Sequence, residues 1–242
     1  MSGMVQMNPK PEISVIIPAY NEQDYIGRTL EGIKRQRFKD FEVIVVDGGS
    51  TDRTREIAGR YAKVITERRR GISIARNRGS KSSKGQVLLF IDADTKPSPD
   101  LLLEYHKIFK DAAVAAATGP ILPLEKSGRA MLYGYKFVSV IFVRLTILLH
   151  QPSVVGSNFA VSRKAFNSVG GFDEKLVTYE DWDLSKRLKK YGRVVYSNNA
   201  VVYTSIRRVR EWGIFGYFKY HVGNMFRYYL FKSPKEEYDP VR

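Results

Sequence analysis

Two aspartates, Asp92 and Asp94, follow a run of apolar residues in the segment LLFIDADTKPSPD, residues 88–100. A β-strand sends alternate side chains to the same face, so we expect both carboxylates to point the same way at the tip of a strand. Two like charges held side by side repel each other, and burial increases the cost. The pair therefore requires either a fully solvated strand end or a cation beside the acids.

Other apolar runs also end in acidic residues. Glu22 follows the run ISVIIP, and Asp47 closes the run EVIVVD. In open parallel sheets, ligands bind beyond the carboxyl ends of the strands, so we expect Glu22, Asp47, Asp92 and Asp94 to converge at one edge. Asp47 can accept the ring N–H of a nucleobase. The Asp-x-Asp pair suits Mg²⁺ or Mn²⁺ bound together with the phosphates of a substrate.

Strand-like and helix-like segments alternate in the first half of the chain. Short β-branched apolar runs predict strands at 13–18, 42–47, 62–66 and 86–92. Stretches of helical character lie at 22–37, 51–61, 71–83 and 98–111. This alternation predicts an α/β fold in which a mostly parallel sheet is covered by helices on both faces.

The second half is less regular and contains one strongly apolar stretch, 129–149, which is interrupted by Lys136 and Arg144. A membrane-spanning helix needs about 20 nearly uncharged residues, so this stretch is a poor transmembrane candidate. We expect a helix at 180–190. The sequence shows no internal repeat and predicts one compact domain followed by a C-terminal extension.

Composition limits the classes of function. A chain of 242 residues with 43% hydrophobic residues can form one large α/β domain, and the absence of cysteine excludes disulfides, zinc–thiolate sites and thiol catalysis. The net charge of +15 favours anionic partners, which include nucleic acid, phosphorylated small molecules and anionic membranes. No apolar stretch precedes the first predicted strand, so we expect no secretory signal and a cytoplasmic location.

Six segments together carry a resemblance to a known family. They are, in order, SVIIPAYNE, VIVVDGGSTDRT, GISIARNRG, LLFIDADT, GSNFAVSRKAFNSVGGFDE and YEDWDLSKRL. Their types and order resemble the family 2 glycosyltransferases of the GT-A fold, a Rossmann-like arrangement, over residues 12–205. The resemblance implies an inverting enzyme that moves a sugar from a nucleotide-diphosphate sugar with the help of Mg²⁺ or Mn²⁺.

The resemblance also assigns roles to residues at the donor site. It implies that the nucleotide pocket is lined by Ala19, Tyr20 and Glu22, and that Asp47 contacts the base. The resemblance also implies that Arg76, in ARNRG, reaches toward the base or the phosphates. It further implies that Asp92 lies near the ribose and the metal, and that Asp94 is the direct metal ligand.

Asp181, in YEDWDLSKRLKK, resembles the general base of the family. A sugar hydroxyl must lose its proton as it attacks the anomeric carbon, so the reaction requires such a group. Attack opposite the leaving diphosphate inverts the configuration in one step, and one base is then sufficient. The alternative interpretation is a solvent-facing helix with acids in its first turn and bases in its last. A helix start that presents Asp181 at a cleft satisfies both interpretations. Asp183 is expected either to support the site from behind or to be a structural acid.

The sequence departs from the family in two places. Many relatives supply a metal-binding histidine after the last core strand, whereas this chain reads VVYTSIRRVR. Arg207 and Arg208 in this stretch can instead neutralise the leaving diphosphate, although a solvated loop or a membrane contact explains them equally well. The Gln-x-x-Arg-Trp signature of processive synthases is only approximated by RVREW, which favours single-sugar transfer.

Residues 206–242 are expected to be an extension, in which basic residues are scattered among many aromatic ones. This composition is typical of an amphipathic helix at a membrane surface, and it suggests a lipid-linked acceptor such as a polyprenyl phosphate or a glycolipid. The alternative is a helix that closes the core or forms a homodimer contact. For a phosphate acceptor the argument for Asp181 weakens, because that nucleophile is already ionised.

Two other classes of function compete with the enzyme. A nucleic-acid-binding α/β protein would explain the positive charge, and its affinity would fall steeply with salt. It would not explain the four acids at the strand ends, which would repel phosphate, so we expect no nucleic acid partner. A protein that binds nucleotide sugars without transferring them is disfavoured because Asp94 and Asp181 are both present.

Overall fold

The computed structural model describes residues 10–149, 152 and 154–231. The strands of these residues are β1 (Ile13–Ala19), β2 (Phe41–Asp47), β3 (Lys63–Thr66), β4 (Val87–Phe90), β5 (Thr95–Pro97), β6 (Val114–Thr118), β7 (Ile121–Pro123), β8 (Phe159–Ser162), β9 (Arg193–Tyr196) and β10 (Val202–Thr204). The α-helices are α1 (Ile26–Lys34), α2 (Thr54–Gly59), α3 (Ile72–Ser82), α4 (Leu101–Phe109), α5 (Arg129–Lys136), α6 (Val143–Leu148), α7 (Arg163–Ser168), α8 (Glu180–Leu188) and α9 (Arg207–Phe231). A π-helical turn, Phe137–Phe142, joins α5 to α6.

The larger sheet has the strand order β3-β2-β1-β4-β8-β6-β9 in the described part of the chain. Neighbouring strands run parallel except at β8, which is antiparallel to both β4 and β6. The predicted α/β fold with a mostly parallel sheet is therefore confirmed. The short central strand β8 was not predicted, because FAVS is too brief to stand out from the apolar sequence around it.

A smaller sheet extends the edge at which the predicted site residues lie. Its strand order among the described residues is β5-β10-β7, with β10 antiparallel to β5 and parallel to β7. In this register Thr204 lies opposite Thr95 and Pro123. The end of β10 is thereby placed beside the turn that follows β4.

The hydrophobic core has two layers, one on each face of the larger sheet. Alternation along the strands divides the layers, because Ile17 and Leu89 pack on one face while Ile16 and Phe90 pack on the other. Helix α3 lies very close to the second face: a Cβ atom placed on Gly79 would be 2.4 Å from Cγ2 of Ile16. The continuous apolar strands are buried on both faces, as expected for a sheet covered by helices.

Strand β4 ends at Phe90, two residues earlier than predicted. Asp92 and Asp94 consequently lie in the turn before β5, in which the N–H of Thr95 donates to the carbonyl of Asp92. Strand alternation does not set the directions of the two carboxylates, and each binds a different arginine, as described below. Because the strand ends before either residue, strand alternation no longer supports the expectation that both point the same way from a strand tip.

The apolar stretch 129–149 forms α5, the π-helical turn and α6 rather than one continuous α-helix. Within the described ranges, every helix is too short or too polar to cross a bilayer.

The C-terminal extension forms α9, which is interrupted at Gly213. Tyr228 on this helix stacks on Tyr179 and Trp182, with ring centroids 6.0 and 6.4 Å apart, and Trp212 packs on Tyr220 at 5.2 Å. Part of the extension therefore packs on its own chain, which matches the core-closing alternative for these aromatic residues. The predicted segment beyond residue 231 lies outside the described residues.

Candidate active site

The loops that follow β1 and β2 are bonded to each other at the carboxyl edge of the sheet. The parallel register places Ala19 directly opposite Asp47. The N–H of Gly48 donates to the carbonyl of Ala19 over 2.8 Å, and the N–H of Glu22 donates to Oγ1 of Thr54 over 2.6 Å. The topology thus brings the predicted nucleotide-pocket residues to one edge.

Asp47 lies at the end of β2 with 2% of its surface exposed. Its Oδ1 accepts a hydrogen bond from the N–H of Ser50 over 3.2 Å, which fixes the carboxylate at the start of the loop. Nearby, the guanidinium of Arg70 lies 5.8 Å from the ring centroid of Tyr20. These contacts hold a carboxylate and an aromatic ring in the loops at the carboxyl edge of the sheet. The role of Asp47 toward a base stays a prediction.

Arg207 is the cation beside the acids of this edge. Its guanidinium binds both carboxylate oxygens of Glu22, with Nη1 2.7 Å from Oε2, and its Nη2 lies 3.4 Å from Oδ2 of Asp94. The ring of Tyr25 covers the guanidinium at 4.7 Å. Burial by itself lowers the pKa of Arg207. The hydrogen bonds to Glu22 and the charge of Asp94 outweigh this effect, so the pKa is raised.

Burial raises the pKa of Asp94 to about 6. The neighbouring charge of Asp92 raises it further, and the charges of Arg207 and Arg208 act in the opposite direction. Oγ1 of Thr204 lies 3.5 Å from Asp94, so the carboxylate also meets the end of β10. The two sheets therefore meet at Asp94.

The side chains at this edge suit a hard divalent cation that binds together with a diphosphate. Among the described residues, His, Cys, Asp and Glu form no group of three that could enclose an ion. Mg²⁺ and similar ions are commonly held by one or two carboxylates together with substrate phosphates and water. Asp94 offers such a carboxylate, and the buried Nε of Arg207, which has no acceptor within the described part of the chain, offers a donor to an anion. The residues present fit a metal–diphosphate complex better than a metal alone.

Arg76 joins this edge to helix α8. The side chain is 1% exposed; its Nη2 donates to Oδ1 of Asp92 over 3.0 Å, and its Nη1 donates to Oε1 of Glu180 over 2.7 Å. The guanidinium lies so close to Gly156 that a Cβ atom there would be 2.6 Å from Nη2. In this structure Arg76 is held by carboxylates, and its predicted reach toward the base or the phosphates stays a prediction.

Asp181 lies in the first turn of α8, next to Glu180. Its Oδ2 accepts the N–H of Gly156 over 2.7 Å, and its Oδ1 accepts the N–H of Trp182 over 2.7 Å. Burial raises the pKa of Asp181, while the charge of Arg76 and the two N–H donors lower it. Burial, together with the charge of Asp181, raises the pKa of Glu180 to about 7. The start of α8 therefore presents two carboxyl groups that hold protons more readily than free carboxylates do.

Asp183 differs from its neighbours in what it binds. It forms an ion pair with Arg187 at 2.7 Å, one turn along α8, and accepts the hydroxyl of Tyr228 at 3.3 Å. These contacts tie α8 to the C-terminal helix, as expected for a structural acid.

Sequence reasoning assigned no role to Gly156, Thr204 or Glu125. Gly156 stands in the quoted segment GSNFAVSRKAF, but nothing in its spacing indicates that its N–H reaches Asp181. Glu125 accepts the hydroxyl of Ser205 and the N–H of Ile206, each over 2.9 Å. Such pairings follow from the tertiary fold and have no local sequence signal.

Comparison with known proteins agrees with this arrangement. The sequence model described as Glycosyl transferase family 2 matches residues 14–170, and one described as N-terminal domain of galactosyltransferase matches residues 138–209. The chain is 31% identical over 205 residues to a PGL/p-HBAD biosynthesis glycosyltransferase of Mycobacterium bovis, covering 79% of this chain and 72% of the relative. It is 38% identical over 161 residues to the putative teichuronic acid biosynthesis glycosyltransferase TuaG of Bacillus subtilis, covering 60% of this chain and 64% of TuaG.

A solved structure shares the fold. The mannosyltransferase PcManGT of Pyrobaculum calidifontis, in complex with GDP-Man and Mn²⁺, superposes with a TM-score of 0.66 at 22% identity, covering 88% of this chain and 65% of that one. Several curated relatives are longer, and the chain spans 22%, 37% and 64% of three of them. The GT-A fold implied by the resemblance is confirmed. With a family match over well over half of its length, and with the acids of that family's motifs gathered at one sheet edge, this chain belongs to glycosyl transferase family 2.

Proposed function

We propose that this chain transfers a single sugar, with inversion, from a nucleotide-diphosphate sugar to a lipid-linked acceptor. The observation that carries the proposal is the buried Arg76, which forms ion pairs with Asp92 at the donor edge and with Glu180 beside Asp181. One guanidinium thereby holds the candidate donor acids and the candidate base in one cluster. An inverting transfer requires both, because the base must act on the side of the sugar opposite the leaving group.

The donor nucleotide would lie across the loops that follow β1 and β2. Asp47 would accept the ring N–H of the base, while Ala19 and Tyr20 form the adjoining wall. Support comes from PcManGT, which has the same fold and holds GDP-Man. The binding of a nucleotide sugar at this edge also follows the general rule for sheets of this type.

The diphosphate would lie between Asp94 and the two arginines at the start of α9. Asp94, with Asp92 nearby, would hold Mg²⁺ or Mn²⁺, which supplies positive charge to the diphosphate as it departs. Arg207 and Arg208 present forked N–H donors that suit phosphate oxygens. Glu22 keeps the Arg207 guanidinium in place before the donor arrives, so Glu22 shapes the pocket through this arginine.

Asp181 would accept the proton of the attacking hydroxyl. Its two backbone N–H donors hold the carboxylate in one orientation, and its raised pKa brings it nearer to the value that suits a base at neutral pH. With a phosphate acceptor the nucleophile is already ionised, and Asp181 would then only orient it.

The acceptor would be a polyprenyl phosphate or a glycolipid reached from the cytoplasmic face of a membrane, with the protein bound peripherally as a monomer or a homodimer. The net charge of +15 supports this part of the proposal, and the departure of RVREW from the processive signature supports the transfer of a single sugar.

A transfer assay tests the proposal directly. The purified chain is incubated with radiolabelled UDP- and GDP-sugars and a membrane extract, with Mg²⁺ or Mn²⁺ and with a chelator. We expect label to enter the organic-soluble fraction in a metal-dependent manner. Donor binding without any transfer, or transfer that the chelator does not affect, would contradict the proposal in its enzymatic or its metal-dependent part respectively.

A further inference from the structure

One surface of the molecule carries apolar side chains that have no place in the site described above. They belong to α5, the π-helical turn and α6, and each is between 49% and 75% exposed: Tyr133, Phe137, Ile141, Leu145, Leu148 and Leu149. We call this set the apolar stripe. It contains six of the eight large exposed apolar side chains in the described part of the chain. A soluble surface rarely concentrates such residues unless it binds something.

The backbone keeps the apolar stripe on one side. Its members follow one another at four-residue spacing from Tyr133 to Leu145. In a continuous α-helix of 3.6 residues per turn, this spacing would drift steadily around the axis. The wider π-helical turn, Phe137–Phe142, lies in the middle of the stripe and counters that drift.

The charged residues of the segment that carries the apolar stripe have one sign. Lys126, Arg129, Lys136 and Arg144 are all exposed. The sequence contains no Asp or Glu from residue 126 to residue 172. An apolar surface with a basic border and no acid fits an anionic lipid surface, since each basic residue near such a surface contributes about 1 kcal/mol to binding. No acid of this segment opposes the contact.

A hollow of about 500 Å³ opens beside the apolar stripe. Ile141, Leu145 and Leu148 line it together with Tyr196 of β9, and Arg144 stands over the Tyr196 ring at 5.9 Å. The hollow is shallow and largely open to solvent. Apolar walls with an arginine at their border suit a hydrocarbon chain that ends in a phosphate.

A second copy of the chain fits this surface less well. A two-fold contact would place the same patch of each copy against the other. Arg129, Lys136 and Arg144 of the two copies would then face one another, and the segment itself supplies no acid to balance them. The charge pattern therefore favours a lipid surface over self-association.

Both ends of the segment that carries the apolar stripe are fixed at the candidate active site. Before it, Glu125 accepts the N–H of Ile206 over 2.9 Å, next to Arg207. After it, the N–H of Gly156 donates to Asp181 over 2.7 Å. A bilayer bound to the stripe is consequently connected through short stretches of backbone to both the donor arginine and the candidate base.

We propose that residues 126–149 dock the protein on an anionic bilayer through the apolar stripe and its basic border. Docking is peripheral, because within the described ranges no helix can cross a bilayer. Binding to the bilayer does not depend on the proposed function. The presence of the acceptor in that bilayer does, and it rests on the proposed function. The aromatic C-terminal helix is a different surface, part of which packs on its own chain through Tyr228.

Vesicle co-sedimentation of the full chain tests the proposal. The vesicles contain phosphatidylcholine alone or with about a third of phosphatidylglycerol, at ionic strengths of about 0.1 M and about 1 M, between which the screening length falls from ~10 to ~3 Å. We expect binding to the anionic vesicles at low salt and much less binding in the other conditions. A chain that stays in the supernatant with anionic vesicles at low salt overturns the proposal.

Matched variants assign the binding to this surface. Phe137→Ser combined with Leu148→Ser should lower the partition coefficient about tenfold or more, because the burial of two large apolar side chains exceeds the free energy of a tenfold change. Tyr191→Ser, which alters a residue of similar exposure (52%) elsewhere, should leave it unchanged. Arg129→Gln with Lys136→Gln should weaken binding more than Lys81→Gln with Lys110→Gln does.

Two further readouts separate the outcomes. A thermal shift with GDP or UDP measures nucleotide binding at the donor site, independently of vesicles. Failure of the proposed function and failure of membrane binding can therefore be distinguished. Light scattering after size exclusion reports the oligomeric state. A dimer that Phe137→Ser and Leu148→Ser dissociate would overturn the proposal in favour of self-association. Vesicle binding that these variants leave intact, but that Lys219→Gln with Arg227→Gln abolishes, would overturn it in favour of the C-terminal helix.

Discussion

The acids of the candidate active site are largely balanced by the positive charges of arginines. The described acids of the cluster are Glu22, Asp92, Asp94, Glu180 and Asp181, and its arginines are Arg76, Arg207 and Arg208. With all of them ionised, five acids and three arginines leave two negative charges. Such a cluster can accept a divalent cation without a surplus of positive charge. Burial first, and the neighbouring carboxylates second, raise the pKa of Asp94 and that of Glu180.

Asp94→Asn tests the metal at the residue scale. Because a direct ligand should matter at least as much as the groups around it, we expect Mn²⁺-stimulated affinity for GDP or UDP to fall by about tenfold or more in isothermal titration. Asp100→Asn, the same change at an exposed ion pair with Arg37, serves as the control. Unaltered Mn²⁺ stimulation in the Asp94 variant would remove this residue from the metal site.

Asp181→Asn tests the base. The amide keeps the size of the side chain but cannot take a proton, so turnover with a hydroxyl acceptor should fall by about 10²–10⁴-fold while donor affinity is retained. Asp183→Asn, two residues along α8, should cost much less, because its contacts are with Arg187 and Tyr228. If both variants turn over at similar rates, the assignment of the base is wrong.

At the scale of the elements, close packing of α3 on the sheet positions Arg76. Gly79 lies one turn beyond Arg76 on this helix, and only a hydrogen in place of its Cβ allows the observed distance to Ile16. Any side chain at this position would push α3 away from β1 and move the Arg76 guanidinium relative to Asp92. The packing of one helix therefore controls the geometry of the charge cluster.

Gly79→Ala should lower the free energy of unfolding by about 1–3 kcal/mol, the usual cost of overpacking a core. Gly59→Ala is the matched control, because a Cβ atom there meets nothing within 4 Å. Urea denaturation of both variants measures the difference. Equal stability of the two variants would show that α3 can shift without cost.

Much of the first half could be predicted from the sequence, because its strands are continuous β-branched runs that end in polar loops. The convergence of Glu22, Asp47 and Asp94 followed from the rule that parallel strands share a carboxyl edge. The partner of Glu22 did not, because Arg207 lies 185 residues away and nothing local connects them. Burial of Arg76 was equally hidden, since an arginine in a polar motif gives no sign of the carboxylates that will surround it.

Tyr228→Ala tests the docking of α9 on α8. The change removes the stacking on Tyr179 and Trp182 and the bond to Asp183, and each aromatic pair is worth about 0.5–1.5 kcal/mol. We therefore expect faster proteolytic cleavage within α9 and a lower melting temperature. Tyr191→Ala, at an exposed position, should change neither; a Tyr228 variant as resistant as the parent would show that these contacts do not hold the helix.

At the scale of the whole molecule, positive charge is unevenly distributed. The chain carries a net charge of +15, yet the candidate active site is acidic, and the segment that carries the apolar stripe has only basic charged residues. With this separation, the proposed contact with an anionic surface and the proposed cation at the acids do not conflict. It also weakens the nucleic-acid alternative, because the acids of the candidate active site would repel a phosphate backbone.

Buried carboxyls should also give the whole molecule an unusual dependence of stability on pH. Burial raises the pKa of Asp94 to about 6 and that of Glu180 to about 7, so the folded chain keeps protons that the unfolded chain has lost. Their stabilising effect is present below the unfolded pKa values and is lost as the pH rises through the folded ones. Stability should therefore fall between about pH 5 and about pH 7.

Melting temperatures measured across this pH range check the prediction. Glu180→Gln stays neutral and keeps an acceptor for Arg76, so its melting temperature should vary less with pH than that of the parent. Glu56, whose pKa its hydrogen bonds to Arg53 and Arg60 lower to about 2, acts at lower pH and does not interfere. A parent that becomes more stable from pH 5 to pH 7, or a variant with the same slope, would contradict the prediction.

The central position of β8 has a consequence for the chain during its synthesis. Strands β3, β2, β1 and β4 can form a continuous parallel sheet as soon as they emerge, but the free edge of β4 is covered only by β8, at residues 159–162. Until those residues leave the ribosome, a fully apolar strand offers unpaired backbone groups to any neighbouring nascent chain. Truncated products that stop before β8 should therefore aggregate or be retained by chaperones, whereas chains that have passed it can close the sheet from within.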